Sequence, residues 1–223
     1  SAFQDVPPEP HFDAVTLIGV LEYARMYFPG GGGVDPVDAM LGYAAQFLKP
    51  GGVLIVAIEN QLGLKYFSGY SEDHVSVPMY GIEDLYSSNG VVTFGRAELS
   101  GRLGSASLPH QRWFFPFPDY KLPTCVFSEA AVQVKEGSVD LAPLLSASVV
   151  ADPQVPPRFL FSLEQAWKPV FRNGLAGELA NSFLVVASCE AVPADTDATL
   201  VWHYSVERRP RYCKAMKIRS RNG

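Results

Sequence analysis

Residues 12–20 read FDAVTLIGV, residues 36–48 read PVDAMLGYAAQFL and residues 53–58 read VLIVAI. The first and third stretches are short apolar runs rich in β-branched residues, which is typical of strands that are buried on both faces of a sheet. The middle stretch repeats apolar residues at helical spacing, with Asp35 as its N-cap and Pro36 at its first helical position. This order predicts a right-handed βαβ unit with two parallel strands.

Weaker patterns outside this unit predict an α/β fold with additional strands. The predicted helices cover residues 81–86, 96–104 and 159–171, and the predicted strands cover residues 113–115, which lead into a proline-fixed loop at 116–120, and residues 182–187. Residues 200–206 alternate in polarity, with Leu200, Trp202 and Tyr204 on the apolar side. That alternation predicts a half-buried strand, which we expect to pair with residues 212–218 in a β-hairpin.

The composition is that of a packed, water-soluble domain, with 48% hydrophobic and 18% charged residues. Residues 207–223 carry seven of the 18 Lys and Arg and one acid, so the remaining body is strongly acidic. An acidic body argues against nucleic-acid binding, and the basic segment indicates an edge strand or linker, with phosphate or membrane-surface contact as the alternative. No apolar run approaches the roughly 20 residues that span a bilayer. The three widely spaced cysteines indicate reduced thiols, and hence a cytoplasmic location.

Two short motifs flank the predicted helix. Val20-Leu21-Glu22-Tyr23 ends the first strand, and Leu48-Lys49-Pro50-Gly51-Gly52 precedes the second. At this spacing they resemble the fourth strand, the following helix and the fifth strand of class I S-adenosylmethionine-dependent methyltransferases. The stretches at residues 59–74, 113–124 and 174–187 resemble a narrower set, the bacterial methyltransferase domains associated with surface polysaccharide and O-antigen assembly.

This resemblance implies a fold, a reaction and a missing part. Family members bind the cofactor with a glycine-rich turn and acidic residues upstream of the fourth strand, whereas eleven residues precede Phe12 here. We therefore expect residues 1–190 to form a partial Rossmann-like sheet that lacks its N-terminal strands, and residues 191–223 to form a basic β-hairpin or linker extension. The absence of this upstream cofactor-binding region further implies that the chain is part of a longer polypeptide, whose other domains contact it.

The implied reaction is methyl transfer from S-adenosyl-L-methionine to a hydroxyl of a saccharide or polysaccharide precursor. The chain alone is expected to bind the cofactor weakly or not at all. The alternative is a non-catalytic methyltransferase-like module that binds protein or polysaccharide.

Ligands of open α/β sheets bind at the carboxyl ends of the strands, so we expect the site near residues 19–23 and 59–74. The resemblance implies that Gly19, Val20 and Glu22 border the methionine part of the cofactor. For Glu22 a structural role is the alternative, because its carboxylate can equally cap or solvate the end of the strand.

Three residues are candidates for acid–base catalysis: Glu59, Asp73 and His74. A carboxylate such as Glu59 can accept a proton from a sugar hydroxyl, and His74 titrates near neutral pH with carboxylates beside it. Methyl transfer also gains rate from in-line alignment of the reacting atoms. The structural alternatives are that Glu59 ties down the following loop through backbone N–H groups and that His74 is held in a structural hydrogen bond.

Four further residues are candidates for substrate binding: Asn60, Tyr66, Asp119 and Tyr120. Asn60 shares the loop-anchoring alternative of Glu59. Tyr66 belongs to an aromatic-rich section whose rings either stack on sugars or pack in the core. Asp119 and Tyr120 lie in a loop that prolines make rigid. No metal site is predicted, because the cysteines and histidines lack metal-ligand spacing.

Overall fold

The computed structural model describes residues 3–133, 139–149, 155–191, 198–204 and 209–220. Its strands are β1 (Phe12–Ile18), β2 (Leu48–Glu59), β3 (His110–Phe117), β4 (Cys125–Ser128), β5 (Ser182–Ser188), β6 (Thr199–Tyr204) and β7 (Ala215–Arg219). Its α-helices are α1 (Ala24–Tyr27), α2 (Pro36–Ala45), α3 (Leu64–Phe67), α4 (Arg96–Ser105), α5 (Glu129–Val132), α6 (Ala142–Ser148) and α7 (Leu163–Arg172). Short 3₁₀ helices cover Phe3–Asp5, Leu21–Tyr23 and Pro210–Tyr212.

All the strands belong to one sheet with the order β1-β2-β5-β3-β4-β6-β7. β1 is parallel to β2, and every other neighbouring pair is antiparallel. Because β5 is antiparallel to both of its neighbours, β3 runs in the same direction as β2. The carboxyl ends of β1, β2 and β3 therefore meet at one edge of the sheet, where ligands of open α/β sheets bind.

The predicted βαβ unit and the α/β fold class are confirmed. Asp35 caps α2, since its carboxylate accepts a hydrogen bond of 2.9 Å from the backbone N–H of Val37. The buried residues of α2 are Val37, Met40, Leu41 and Ala44, which recur at helical spacing. β2 begins at Leu48, five residues earlier than predicted, because Leu48 already pairs with Phe12 of β1.

β1 corrects one expectation. The prediction of a strand buried on both faces is wrong here, because only Leu17 is buried, while Phe12 is 52% and Ile18 is 54% exposed. Within the described ranges β1 pairs with β2 alone, so it is an edge strand. Its apolar composition belongs to an interior strand, and its position leaves that apolar surface in contact with solvent.

Three further boundaries differ from the sequence patterns. Residues 81–84 form turns instead of a helix, with Asp84 in the left-handed region at φ 52°. α7 starts at Leu163, four residues later than predicted, because the Ser162 side chain caps it by accepting a hydrogen bond of 3.3 Å from the backbone N–H of Gln165. β3 ends at Phe117, so the first two residues of the predicted loop at 116–120 belong to the strand.

The C-terminal hairpin is confirmed, since β6 and β7 pair antiparallel. Its buried side is the opposite of the predicted one, because Val201 is fully buried while Trp202 is only partly buried. β6 also pairs with β4, so the hairpin continues the same sheet. The division at residue 190 stays a prediction, and residues 192–197, 205–208 and 221–223 of the extension lie outside the described residues.

Aromatic contacts join α7 to the sheet. The ring of Phe117 packs edge-on against both Phe127 of β4 and Trp167 of α7, with centroid separations of 5.5 and 5.1 Å. All three side chains are fully buried.

None of the helices in the described ranges is long and apolar enough to cross a bilayer.

The cap of α2 gives a stability prediction. Asp35→Ala removes the acceptor for Val37 and the partner of Arg25, which lies 2.7 Å away, so we expect the free energy of unfolding to fall by about 1 kcal/mol. Asp35→Asn retains a cap acceptor and should lose less. Urea unfolding of both variants measures the difference, and equal losses would contradict the capping role.

Candidate functional site

Acidic side chains gather at the edge where β1, β2 and β3 end. Glu22 lies in the 3₁₀ turn after β1, Glu59 is the last residue of β2, and Asp119 follows β3 by two positions. These three residues are 1%, 0% and 8% exposed. The loop after α3 adds Glu72, Asp73 and His74, so the structure brings the predicted catalytic residues into one buried cluster.

His74 is held from one side by Glu72. The Glu72 carboxylate accepts hydrogen bonds from the backbone N–H groups of His74 and Val75, at 2.7 and 2.8 Å, and lies 2.9 Å from His74 Nδ1. Nδ1 therefore carries a hydrogen, and the other ring nitrogen, Nε2, faces the two strand ends. Nε2 lies 3.7 Å from Glu22 Oε1 and 3.9 Å from Glu59 Oε2.

The carboxylates around His74 control its protonation. Burial alone would lower the pKa of His74, but Glu22, Glu72 and Glu59 together raise it to about 10. The imidazole is therefore protonated at neutral pH and is a proton donor. Its predicted use as a proton acceptor requires a ligand that changes these surroundings.

Glu22 and Glu59 each present a buried oxygen without a donor. Glu59 Oε1 contacts Lys121 Nζ, whereas Glu59 Oε2 and Glu22 Oε2 have no hydrogen-bond partner among the residues that the structure describes. Burial raises the pKa of Glu59, with Lys121 acting in the opposite direction. Buried polar atoms are nearly always paired in folded proteins, so these two oxygens indicate a ligand position.

A buried lysine holds the other half of the cluster. Lys65, in α3, is 1% exposed, and its Nζ lies 3.0 Å from Asp73 Oδ2 and 3.5 Å from Asp119 Oδ2. The Tyr66 hydroxyl also donates to Asp73. Burial would raise the pKa of Asp73, but Lys65 and these hydrogen bonds hold it below its usual value. Asp73 is thus an ionised structural partner, and both it and Tyr66 are committed to internal contacts.

Asn60 anchors a loop. Its amide group donates to the backbone carbonyls of Glu178 and Ala180, at 2.8 and 2.7 Å, and its side-chain oxygen accepts from the N–H of Leu62 at 3.0 Å. Both amide hydrogens are therefore used internally, which is the structural alternative for this residue. Substrate binding by Asn60 stays a prediction, and none of these three hydrogen bonds supports it.

The remaining predicted residues lie at the rim. Gly19 has a φ of +63°, and a Cβ there would lie 2.8 Å from the hydroxyl oxygen of Tyr120. Gly19, which was predicted to border the cofactor, and Tyr120, which was predicted to bind the substrate, are therefore in contact. Val20 is 41% exposed beside them. The Asp119 carboxylate accepts a hydrogen bond of 2.9 Å from the backbone N–H of Lys121.

Sequence reasoning missed Lys65, Lys121 and the separate role of Glu72. Lys65 had a signal, since it is the one charged residue in Leu62–Phe67, and a lone charge in an apolar run that folds into a core requires a buried partner. Lys121 follows Asp119 and Tyr120 in the loop after β3, with nothing local to indicate that it reaches Glu59.

Comparisons with known proteins give shape resemblances only. No family model matches the chain, and no curated protein matches it. A SAM-dependent methyltransferase from Thermotoga maritima, described as a possible histamine N-methyltransferase, is 12% identical with a TM-score of 0.40, over 83% of this chain and 59% of that one. A SAM-dependent methyltransferase from Archaeoglobus fulgidus is 9% identical with a TM-score of 0.38, over 81% and 60% of the two chains.

A third structure has a lower similarity. It is phosphoethanolamine N-methyltransferase 2 from Haemonchus contortus, in complex with phosphomonomethylethanolamine and S-adenosylhomocysteine, which is 10% identical with a TM-score of 0.32, over 82% and 34% of the two chains. The chain thus spans less than two thirds of the length of these proteins. Because the TM-scores of these three structures are 0.40 or lower, they assign neither a family nor a substrate.

The role of Lys65 gives the prediction for this site. Lys65→Met leaves Asp73 and Asp119 as buried carboxylates without their shared cation, so we expect the free energy of unfolding to fall by about 3–5 kcal/mol. The double variant Lys65→Met/Asp73→Asn should recover part of that loss. The control is Lys49→Met, whose exposed pair with Asp13 should contribute at most about 1 kcal/mol. Urea unfolding that shows similar losses for both lysines would contradict the buried ion cluster.

Proposed function

We propose that this chain contributes the acceptor side of an S-adenosyl-L-methionine-dependent methyltransferase that acts on a hydroxyl of a saccharide or polysaccharide precursor. The proposal rests on two buried carboxylate oxygens that lack a hydrogen-bond donor, Glu22 Oε2 and Glu59 Oε2. Both carboxylates lie beside His74, where β1 and β2 end. The sequence resemblance that names the reaction refers to this same unit, β1, α2 and β2.

A polyhydroxylated acceptor suits these atoms. A hydroxyl group is a hydrogen-bond donor, so a sugar that enters the site supplies the donors that Glu22 Oε2 and Glu59 Oε2 lack. Hydrogen bonds from two positions fix the direction of the reacting oxygen, and methyl transfer requires that oxygen to be in line with the methyl group and the sulfonium. His74 adds a third polar group within 3.9 Å of both carboxylates.

The exposed edge of β1 supports the proposal that strands from another polypeptide segment extend this sheet, which we call the shared sheet. Phe12 and Ile18 are about half exposed on a strand whose outer edge has no partner in the described ranges, and such an edge is a template for a further strand. We propose that cofactor-binding strands from polypeptide other than these residues pair there. The cofactor would then lie near Gly19 and Val20, which follow β1 directly.

The buried cluster also distinguishes the proposal from a non-catalytic binding module. A module that binds protein or polysaccharide on its surface has no use for two unpaired carboxylate oxygens at 1% exposure or less, because each costs about 1–3 kcal/mol of desolvation. A site that takes a small polar ligand uses them directly.

Calorimetric titration with S-adenosyl-L-methionine tests the shared sheet. For residues 1–223 alone we expect a dissociation constant weaker than about 1 mM, or no binding heat at all, because the proposal places the cofactor-binding strands elsewhere. Micromolar binding by this chain would contradict the requirement for further strands.

A second experiment tests the reaction itself. In a polypeptide that contains both these residues and the cofactor-binding strands, His74→Ala should reduce transfer of labelled methyl groups to a saccharide fraction by at least about tenfold, while cofactor affinity persists. His110→Ala is the control, since His110 is exposed at the opposite end of β3. Wild-type transfer by the His74 variant removes His74 from the mechanism, and transfer to protein in place of saccharide overturns the acceptor class.

A further inference from the structure

Three side chains from three different segments converge on one point. Glu22 follows β1, Glu59 ends β2 and His74 belongs to the loop after α3, yet one ligand atom of each lies within 4.8 Å of the others. The side chains of Glu22, Glu59 and His74 are 1%, 0% and 7% exposed. Two carboxylates and an imidazole are a donor set that divalent metal ions bind.

The separations are those of metal ligands more than those of a hydrogen-bonded pair. His74 Nε2 lies 3.7 Å from Glu22 and 3.9 Å from Glu59, which is too far for a hydrogen bond to either. Ligand atoms that share an ion at about 2.1 Å are themselves about 3.0–3.6 Å apart for angles of about 90–120°. The two distances from His74 exceed this range by a few tenths of an ångström, and the ligand atoms of Glu22 and Glu59 lie within 4.8 Å of each other.

The two carboxylates have capacity to bind an ion. Glu22 Oε2 and Glu59 Oε2 are buried and lack a hydrogen-bond partner within the described ranges. An ion between them would satisfy both oxygens at once. These buried oxygens form a second observation, independent of the clustering, that indicates a ligand.

The composition of the cluster favours a cationic ligand. Its buried carboxyl groups are Glu22, Glu59, Glu72, Asp73 and Asp119, and its ammonium groups are Lys65 and Lys121. The carboxyl groups therefore outnumber the ammonium groups by three. Burying uncompensated negative charge is costly, so the cluster favours a divalent cation over a neutral or anionic ligand.

The position of the ion within the cluster is decided by the lysines. Glu59, Asp73 and Asp119 form a second group of close carboxylates, but the ammonium groups of Lys65 and Lys121 already lie between its members. The ion pairs of His74 are with Glu22, Glu59 and Glu72, and none of these three contacts involves a lysine. That side is therefore where a metal ion fits.

Glu72 prepares the imidazole for coordination. It accepts the Nδ1 hydrogen of His74 and is itself held by two backbone N–H groups. When a metal ion displaces the Nε2 proton, a carboxylate in this position keeps the hydrogen on Nδ1 and orients the ring, as second partners of metal-bound histidines do. The spacing Glu72-Asp73-His74 thus provides a ligand and its positioning residue in one turn.

We propose that Glu22, Glu59 and His74 bind a divalent first-row transition metal ion, of the Mn²⁺ or Zn²⁺ type, through carboxylate oxygens and Nε2. The imidazole nitrogen distinguishes this set from the all-oxygen sites of Ca²⁺ and Mg²⁺. Three protein ligands leave coordination positions for an oxygen of a bound molecule. The ion would use the carboxylates that the proposed function assigns to the acceptor, so with the ion bound an acceptor hydroxyl would take one of its open coordination positions. Metal binding by this chain alone is tested without methyl transfer.

Titration of the purified chain with Mn²⁺ and with Zn²⁺, without cofactor or acceptor, tests the proposal. We expect one ion per chain, and at least about tenfold weaker binding for Glu22→Gln and for His74→Gln, each of which removes one ligand. The matched controls are Glu83→Gln and His110→Gln, which change exposed residues outside the cluster and should bind as the wild type does. Circular dichroism establishes that each variant is folded.

Two further readouts separate coordination from loose association. Mn²⁺ should raise the melting temperature of the wild type and the controls but have a smaller effect on the ligand variants, because binding to the folded state alone stabilises it. The electron paramagnetic resonance signal of bound Mn²⁺ should show coupling to one imidazole nitrogen, which His74→Gln removes. Absence of saturable binding of either ion, or binding that the Glu22 and His74 substitutions leave unchanged, overturns the proposal. Neither result affects the test with S-adenosyl-L-methionine.

Discussion

The ammonium group of Lys65 is the interaction on which the site depends. It lies in a nearly water-free position between Asp73 and Asp119, so it joins α3 to the loop that follows it and to the segment after β3. A charge in such a place is tolerated only when its partners are close and well oriented. Because Asp73 immediately precedes His74, the contact with Lys65 also determines where the imidazole and its partner Glu72 lie.

Local features explain why part of this arrangement was predictable. Asp35 and Pro36 start α2, and the apolar runs on either side identify β1 and β2, so the parallel unit follows from nearby residues. Parallel strands that are joined by one helix end at the same edge, which led directly to Glu22 and Glu59. His74 was predicted because it lies in the region after the same strand and has the carboxylates of Glu72 and Asp73 beside it in sequence.

Long-range pairing explains what was missed. β5 begins more than 100 residues after the end of β2 and inserts between β2 and β3. This insertion makes the end of β3, with Asp119 and Lys121, meet the end of β2. No local pattern encodes that neighbour relation. The solvent exposure of β1 was hidden for the same reason, since an apolar strand reads alike whether it lies inside a sheet or at its edge.

The two edges of the sheet have opposite consequences for assembly. At one edge, β7 presents the exposed charges of Lys217 and Arg219, which discourage a further strand from pairing. At the other edge, β1 presents Phe12 and Ile18, and Asp13 is its one charged residue. The sheet is therefore polarised: charged side chains lie along β7 at one edge, and the mostly apolar β1 lies at the other. Self-association in concentrated solution would proceed through β1, and a single strand that occupied this edge would stop it.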